Sequence, residues 1–282
     1  MKFATMLYST DEAMRPDEFA VATEERGFES VWYPEHTHIP ASRRTPFPGG
    51  GDLPHDYWHM HDPFIALTAA ATATKTIKIG TGVCLITERD PIVTAKEVAT
   101  LDFLSRGRFL FGIGAGWNAE EMENHGTKFE ERWKVLEERI AAMKACWTAD
   151  PSEYHGKYVD FDPIWSWPKP VQKPHPPIIM GAASPWGRER VARYCDGWVP
   201  LPGQMGNIAE DIADLERRLE QHGRKLSDIE ISFFWAPEDA DELKRYRDLG
   251  VDRAILACPV ASVDDTLKLL DRHAALAAAV GA

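Results

Sequence analysis

The sequence predicts an α/β fold, a single (β/α)8 TIM barrel, and three observations carry that prediction. Short apolar runs alternate strictly with amphipathic stretches along the chain, and there are eight segments of each kind. Parallel strands need long crossover connections, so this alternation indicates a parallel sheet covered by helices. The length of 282 residues is one that such barrels reach as a single domain. We therefore predict one barrel domain over residues 1–282, with a doubly wound open sheet as the alternative.

The predicted strands are short apolar runs, and the third, residues 77–83, is rich in Ile, Val and Thr. The predicted helices carry the usual end signals; Pro16 suits the first turn of the first helix, and Gly27 suits the position after its end. A break near Gly126 and a restart around Phe129 are expected in the long fourth helix. The predicted strands are residues 2–8, 28–33, 77–83, 109–113, 178–180, 197–200, 229–234 and 252–257. The predicted helices are residues 16–26, 63–74, 91–104, 120–147, 185–194, 207–222, 238–249 and 262–280.

Two connections are much longer than the others, and loops of such length are uncommon unless they are functional or disordered. Residues 34–62 leave the carboxyl end of the second strand, where barrels build their active sites. Tyr57, Trp58 and Met60 in this loop suggest an apolar substrate pocket, and a solvated insertion is the alternative. The second long connection, residues 149–177, is expected to hold short strands of its own. These are placed at residues 158–161 and 164–167.

Composition and charge exclude several classes of protein. Lys and Arg number 32 against 44 Asp and Glu, a net charge of −12 that disfavours binding to nucleic acid or an anionic membrane. No apolar run approaches the roughly 18 residues of a membrane span, and the amino end lacks a signal-peptide pattern. The four cysteines form no CxxC pair, so we expect buried thiols rather than disulfides, and a cytoplasmic location. The histidines match no known spacing of metal ligands, so no metal site is predicted.

Two glycine-rich turns follow predicted strands. Gly112-Ile113-Gly114-Ala115-Gly116 follows the fourth strand, whereas a dinucleotide fingerprint should follow the first strand of its unit. A tight turn beside a flat ligand therefore fits this segment better. Gly181-Ala182-Ala183-Ser184-Pro185 begins a helix with small residues whose N–H groups are open to a phosphate, and Arg188 lies one turn further on. An ordinary strand–helix turn is the alternative for this second segment.

Glu35 and His36 stand just beyond the second strand. A histidine there can act as a general acid or base, because the imidazole titrates near neutral pH. The neighbouring carboxylate could stabilise the imidazolium or bind a ligand directly, and a purely structural histidine is the alternative. The chain has no G-x-S-x-G elbow and no Walker lysine loop, which argues against serine hydrolysis and nucleotide hydrolysis.

Taken in order, these motifs resemble the luciferase-like monooxygenase superfamily, most of all its oxidoreductases that depend on the deazaflavin coenzyme F420. The resemblance runs from residue 1 to about residue 202, and the remaining chain matches only as strand–helix units. Single motifs are weak, but the ordered set is specific. The matching segments are residues 27–32 with Glu35-His36, 77–83, 89–91, 95–102, 104–108, 112–117, 176–178 and 196–198.

The resemblance implies a flavin-type ring across the carboxyl-terminal mouth of the barrel. It also implies a non-proline cis peptide at Gly82-Val83, phosphate binding by the two glycine-rich turns, and an acid, base or ring-binding role for His36. Some members that oxidise sugar phosphates carry Glu where Trp117 stands here, so the resemblance does not extend to that chemistry. The implied cofactor-binding residues are Leu7, Glu35, His36, Gly82, Val83, Gly114, Ala115, Gly116, Trp117, Gly181, Ala182, Ala183, Ser184 and Arg188.

The function expected from the resemblance is an F420-dependent oxidoreductase that moves a hydride between C5 of the deazaflavin and a small organic substrate. His36 is expected to give or take the accompanying proton, with Glu35 tuning it. An FMN-dependent monooxygenase and a non-catalytic flavin-binding barrel are the alternatives. The oligoglutamate tail of F420 would favour a basic rim, for which Arg43 and Arg44 are candidates. Relatives are often dimers, so a homodimer is expected.

Overall fold

A computed structural model describes residues 1–281, and residue 282, the last of the predicted domain, lies outside the described part. Eight parallel strands form a ring, as predicted, and the pairing of the third strand with the strand at 109–114 closes it. The strands are β1 (Lys2–Leu7), β2 (Ser30–Tyr33), β3 (Lys78–Thr81), β4 (Cys84–Leu85), β5 (Phe109–Gly114), β6 (Ser152–His155), β7 (Asp160–Ile164), β8 (Ile178–Met180), β9 (Gly197–Trp198), β10 (Glu230–Phe234) and β11 (Arg253–Cys258).

The order around the ring is β3-β2-β1-β11-β10-β9-β8-β5. Short β4 continues the line of β3 and, like β3, pairs with β5. All these pairs are parallel, so their carboxyl ends meet at one mouth of the barrel. The eight predicted barrel strands are thus confirmed, with ends that differ by at most two residues.

Helices cover the outside of the ring at the predicted places. The break in the fourth helix is confirmed: Gly126 has a positive φ of 79°, and a 3-10 turn at Phe129–Glu131 precedes the next helix. The helices are α1 (Pro16–Glu25), α2 (Pro63–Ala73), α3 (Pro91–Leu104), α4 (Ala119–Asn124), α5 (Arg132–Thr148), α6 (Pro185–Tyr194), α7 (Ile208–Gln221), α8 (Ala240–Asp248) and α9 (Val263–Val280). Within residues 1–281 none of them has the length and apolarity needed to cross a membrane.

The inside of the barrel is a small apolar core built around two aromatic rings. Trp32 and Phe234 meet edge to face with ring centroids 5.7 Å apart. A Cβ on Gly80 would lie 2.6 Å from the Trp32 indole, so this position must stay a glycine for the indole to fit. The larger core lies between strands and helices. All four cysteines are buried as free thiols, as expected.

The two long connections adopt different structures. Residues 34–62 fold back over the mouth and hold a 3-10 turn at His55–Trp58. The second connection forms an antiparallel hairpin of β6 and β7, so the expectation of extra strands was right. Its bounds were wrong: the hairpin begins at Ser152, and the Trp167 region follows it. The error arose because the exposed, mostly polar β6 lacks the apolar signal on which the strand prediction relied.

Candidate active site

A cavity of about 780 Å³ opens at the carboxyl ends of the barrel strands. This volume lies in the range of small-molecule and cofactor sites. Its walls come from the ends of β1, β5, β8 and β10, from the segment between β3 and β4, and from the long loop after β2. The cavity is lined at these places by Met6, Tyr8, Phe47, Tyr57, Gly82, Val83, Gly114, Ala115, Gly116, Trp117, Gly181, Ala182, Ala183, Ser184, Arg188, Phe234 and Trp235, among others.

One side of the cavity is formed by glycines that pack against Val83. A Cβ on Gly114 would lie 2.6 Å from Val83 Cγ2, and one on Gly181 would lie 3.1 Å from Val83 Cγ1. The peptide between Gly82 and Val83 is cis, at the position that the sequence resemblance implied. The absence of side chains at these glycines leaves a flat wall, against which a planar ring can lie.

Both glycine-rich turns expose backbone donors. The N–H groups of residues 115–117 and 182–184 make no hydrogen bond to another residue within 1–281. Ser184 caps α6 as expected: its Oγ accepts from the N–H of Gly187 at 3.1 Å. Open N–H groups next to a helix start are suited to a phosphate, because the helix dipole adds positive potential there.

Arg188 lines the cavity, but its charge is already matched. Its guanidinium contacts Asp214 at 2.7 Å and Asp211 at 2.8 Å, and it donates to the Ala183 carbonyl at 2.9 Å. The Arg188 side chain is buried, and the carboxylates of Asp211 and Asp214 form ion pairs with it. Arg188 therefore holds the turn at residues 181–185 through Ala183 rather than presenting a free cation to it.

His36 lies behind the aromatic wall of the cavity, with both ring nitrogens engaged. The Trp117 indole donates to Nε2 at 3.2 Å, and Nδ1 lies 2.7 Å from Oε2 of Glu121. An indole nitrogen can only donate, so Nε2 must be the unprotonated nitrogen. Nδ1 therefore carries the proton and donates a hydrogen bond to Glu121. The ring also packs against Tyr57, with centroids 5.3 Å apart. His36 is thus held in one tautomer whose free base, Nε2, points to a cavity-lining residue.

Glu35 does not contact this imidazole, contrary to the sequence-based hypothesis that it tunes His36. Its Oε1 accepts from Arg89 Nε at 2.6 Å, and its Oε2 accepts from the Leu85 N–H at 2.6 Å. Arg89 also pairs with Asp62 and Glu97. Glu35 therefore anchors the strand ends and the start of α2 behind the cavity, and it is absent from the cavity wall.

Sequence reasoning missed the carboxylates that do surround His36. Glu121 belongs to the first turn of α4, where its N–H is capped by Asn118 Oδ1 at 3.4 Å. Glu88 ends a 3-10 turn after β4. Burial, together with the nearby Glu121, raises the pKa of Glu88 to about 9. The available signal was the pair of acids just after the Gly116 turn, because that turn follows a barrel strand.

The long loop is a wall of the cavity, not a solvated insertion. Phe47 and Tyr57 line it, and the Tyr57 hydroxyl lies 3.3 Å from that of Tyr8. Burial raises the pKa of Tyr57, and burial and the neighbouring Tyr57 raise the pKa of Tyr8, so both stay neutral phenols at physiological pH. Arg44 on the same loop pairs with Glu123 at 2.7 Å.

Besides Glu35 and His36, three predicted residues do not line the cavity. Trp58 is half exposed and packs on His55 outside the mouth, because the 3-10 turn directs it away from Tyr57. Met60 pairs with Thr10 in an isolated bridge. Leu7 is fully buried in the layer between strands and helices, since its neighbours on β1 point inward instead.

One group of potential metal ligands lies on the surface. Glu12, His55 and His59 offer donor atoms within 4.8 Å of one another, a cluster that no sequence spacing indicated. His55 bonds to Glu12 and His59 to Asp11, each at 2.7 Å, so these side chains form exposed ion pairs outside the cavity.

Comparison with known proteins finds relatives along nearly the whole chain. The family model of the luciferase-like monooxygenases matches residues 3–256. An uncharacterized protein of Mycobacterium tuberculosis is 38% identical over 282 residues, covering 98% of each chain. An F420-dependent glucose-6-phosphate dehydrogenase of Amycolatopsis mediterranei is 28% identical, covering 88% of this chain and 81% of its own. An FMNH2-dependent dimethylsulfone monooxygenase of Pseudomonas putida is 27% identical over 209 residues, covering 73% and 55%.

Proposed function

The chain belongs to the luciferase-like monooxygenase family, and from that premise we propose that it is an oxidoreductase that uses coenzyme F420. The observation that carries the proposal is the glycine-walled cavity with a buried histidine behind its rim. The relatives include an F420-dependent and an FMNH2-dependent enzyme, so a flavin-type cofactor is expected in either case. The substrate is a small organic molecule with an unsaturated or carbonyl carbon, or the matching alcohol.

The residues present fit a flavin-type group. Side chains at Gly114 and Gly181 would fill the space beside Val83, so these glycines keep a flat wall open for a ring. The N–H groups of residues 115–117 and 182–184 would hold its phosphate. When bound, a deazaflavin supplies a carbon that accepts or gives a hydride, and the barrel supplies orientation and proton transfer.

His36 handles the proton in this proposal. Its Nε2 is unprotonated and can take a proton from a substrate hydroxyl, or return one in the reverse direction. The Glu121 carboxylate on Nδ1 stabilises the imidazolium that forms. Trp117 lines the cavity and donates to Nε2, so it would have to release Nε2 when a substrate binds.

The role of His36 is tested by replacement. We expect His36→Ala to slow single-turnover hydride transfer by about a hundredfold or more, because a positioned acid or base usually accelerates a reaction by at least that factor. The His38→Ala variant is the control, because His38 bonds to Thr37 and Asn124 away from the cavity. Unchanged transfer in His36→Ala over pH 5–9 would rule out this role.

An FMN-dependent monooxygenase is the second candidate, and one observation favours it. Arg44 and Arg188 are both matched by carboxylates, which leaves Arg43, whose guanidinium lies 6.0 Å from the centroid of the Trp117 ring, as the single predicted rim cation without an ion pair within residues 1–281. FMN has a single phosphate, which the backbone donors alone could hold. Titration of the protein with purified F420 and with FMN, read by fluorescence quenching and absorbance, separates the two. Tight binding of FMN with no response to F420 would overturn the preferred cofactor.

We also propose a homodimer and a cytoplasmic location. Helices α2 and α3 pack against each other, and both carry exposed apolar side chains: Ile65 is 72% exposed, Val93 56% and Phe103 58%. Burying these side chains against a second copy would remove them from water. Light scattering after size exclusion is expected to give twice the mass of 31.7 kDa, and Ile65→Glu with Phe103→Glu is expected to give the monomer.

A further inference from the structure

Two buried carboxyl groups stand together behind His36. Glu121 is fully buried and Glu88 is 7% exposed. Both oxygens of Glu88 and Oε1 of Glu121 have no hydrogen-bond partner within residues 1–281. The other oxygen of Glu121 is the one bonded to His36 Nδ1. Three buried acceptor atoms in one place therefore lack donors.

A single proton on Glu88 supplies a donor for Glu121 and removes one of the two buried charges. Ionised carboxylates only accept hydrogen bonds, so two of them side by side repel each other and stay unsatisfied. If Glu88 carries a proton, it becomes a donor to Oε1 of Glu121, and the pair holds one negative charge instead of two. The same reasoning explains why burial and Glu121 raise the pKa of Glu88 to about 9.

Within residues 1–281, no neighbouring side chain donates a hydrogen bond to Glu88 in place of this proton. The remaining charged neighbours of Glu88 are Glu35 and Arg89, which are bonded to each other. Glu121 also lies in the field of His125, whose pKa is lowered chiefly by burial, and Arg139 faces His125 from α5. The backbone of Gly116 closes the group on the cavity side, since a Cβ there would lie 3.4 Å from Oε1 of Glu88.

We propose that Glu88 and Glu121 share one proton and act as a positioning pair for His36, with Glu88 donating to Glu121 and Glu121 holding Nδ1. This inference rests on the proposed proton-transfer role of His36. The shared proton keeps Glu121 from drawing the Nδ1 proton fully away, and the remaining charge stabilises the imidazolium. The pair on Nδ1 and the Trp117 indole on Nε2 thus hold His36 with Nε2 as the base that serves the cavity.

The test measures the protonation of Glu88 and the hydrogen bonding of His36 in the protein without cofactor or substrate. The infrared difference spectrum between wild type and Glu88→Gln at pH 7 is expected to show the carbonyl band of a protonated carboxyl group. That band is expected to disappear from wild type with a midpoint near pH 9. Nitrogen-15 spectra, assigned with His36→Gln, are expected to show the Nδ1–H tautomer in wild type and in Glu88→Gln, whose amide still donates to Glu121. Glu121→Gln is expected to keep this tautomer, because the Trp117 indole still donates to Nε2, but to shift the Nδ1 resonance, because a neutral amide oxygen replaces the carboxylate acceptor.

The variants also separate positioning from packing. Glu88→Gln is expected to keep neutral-pH activity within about threefold and to lose the alkaline limb of the pH profile, whereas Glu88→Ala is expected to lose activity at all pH values. Absence of the carboxyl band, or an unchanged Nδ1 resonance in a folded Glu121→Gln, would overturn the pair. If the spectra are as expected but His36→Ala transfers hydride normally, the proposed function fails and the shared proton stands. If Glu121→Gln does not fold, the infrared result with Glu88→Gln still decides.

Discussion

At the scale of single residues, the direction of a side chain decides which predicted residues belong to the cavity. Met6 and Tyr8 line it, while Leu7 between them faces the helices. The sequence located the strand correctly, but the resemblance alone could not say which of its faces meets the cavity. Successive side chains on a strand point to opposite faces, so an error of one residue moves a prediction from the site to the outer core.

Glu35 and Glu121 show a second limit at this scale. Glu35 adjoins His36 in the chain and was taken as its partner, yet consecutive residues at a strand end point apart. The real partner, Glu121, is 85 positions away along the chain, and only the closure of the barrel brings it to Nδ1. Chain neighbours can be read from a sequence, whereas partners on different strand–helix units need the fold.

Gly114→Ala tests the flat wall of the cavity. The new Cβ would lie 2.6 Å from Val83 Cγ2, so Val83 must move into the space proposed for the ring. Overpacking of this kind costs about 1–3 kcal/mol, and we expect cofactor binding to weaken about tenfold or more in a fluorescence titration. Gly203→Ala is the control, because nothing lies within 4 Å of a Cβ there. Equal affinities for the two variants would contradict a ring against this wall.

At the scale of elements, end signals made the helices predictable. Asp90 caps α3 by accepting from two N–H groups at 2.9 Å, and Pro91 follows it, so the predicted start was confirmed. The hairpin of β6 and β7 was misplaced because its exposed strands carry no apolar alternation. The long loop after β2 has no periodic signal either. The sequence therefore left two alternatives for it, a pocket wall and a solvated insertion, and the fold was needed to decide between them.

The 3-10 turn in that loop gives a matched pair of variants. Tyr57 is directed into the cavity and touches His36, whereas Trp58, its neighbour, is directed outward. We expect Tyr57→Ala to raise KM about tenfold or more, because it removes a buried aromatic wall. Trp58→Ala, measured in the same steady-state assay, is expected to stay within about twofold of wild type. A larger effect from Trp58→Ala would mean that the loop closes differently over substrate.

At the scale of the whole molecule, the two ends of the barrel have different roles. The carboxyl end carries the cavity, and the amino end carries a charged network that joins neighbouring strands. Arg253 at the start of β11 is fully buried and pairs with Glu29 at 2.8 Å and with Glu230. Lys78 at the start of β3 bonds to Glu29 at 2.9 Å. This network ties β2, β3, β10 and β11 together at the end away from the chemistry, so it serves stability.

The network predicts how the free energy of unfolding depends on pH. Hydrogen bonds from Arg253 and Lys78 overcome the effect of burial and lower the pKa of Glu29 from 4.5 to about 2. A carboxyl with a lowered pKa stabilises the folded state above its unfolded value, and that contribution is lost as the pH falls toward the folded value. We therefore expect Glu29→Gln to be less stable than wild type by about 2–3 kcal/mol at pH 7. The difference is expected to shrink between pH 4.5 and 2, where Glu29 of the wild type takes up its proton.

Urea unfolding at a series of pH values measures this difference directly. Glu24 and Glu120 also have a pKa near 2, so the wild type has an acid-dependent slope from several groups, and only the difference between the two proteins isolates Glu29. Glu216→Gln on the exposed face of α7 is the control and is expected to run parallel to wild type. A gap between wild type and Glu29→Gln that stays constant down to pH 2 would show that Glu29 acts through packing. The amino end of the barrel would then owe its stability to contacts that do not depend on charge.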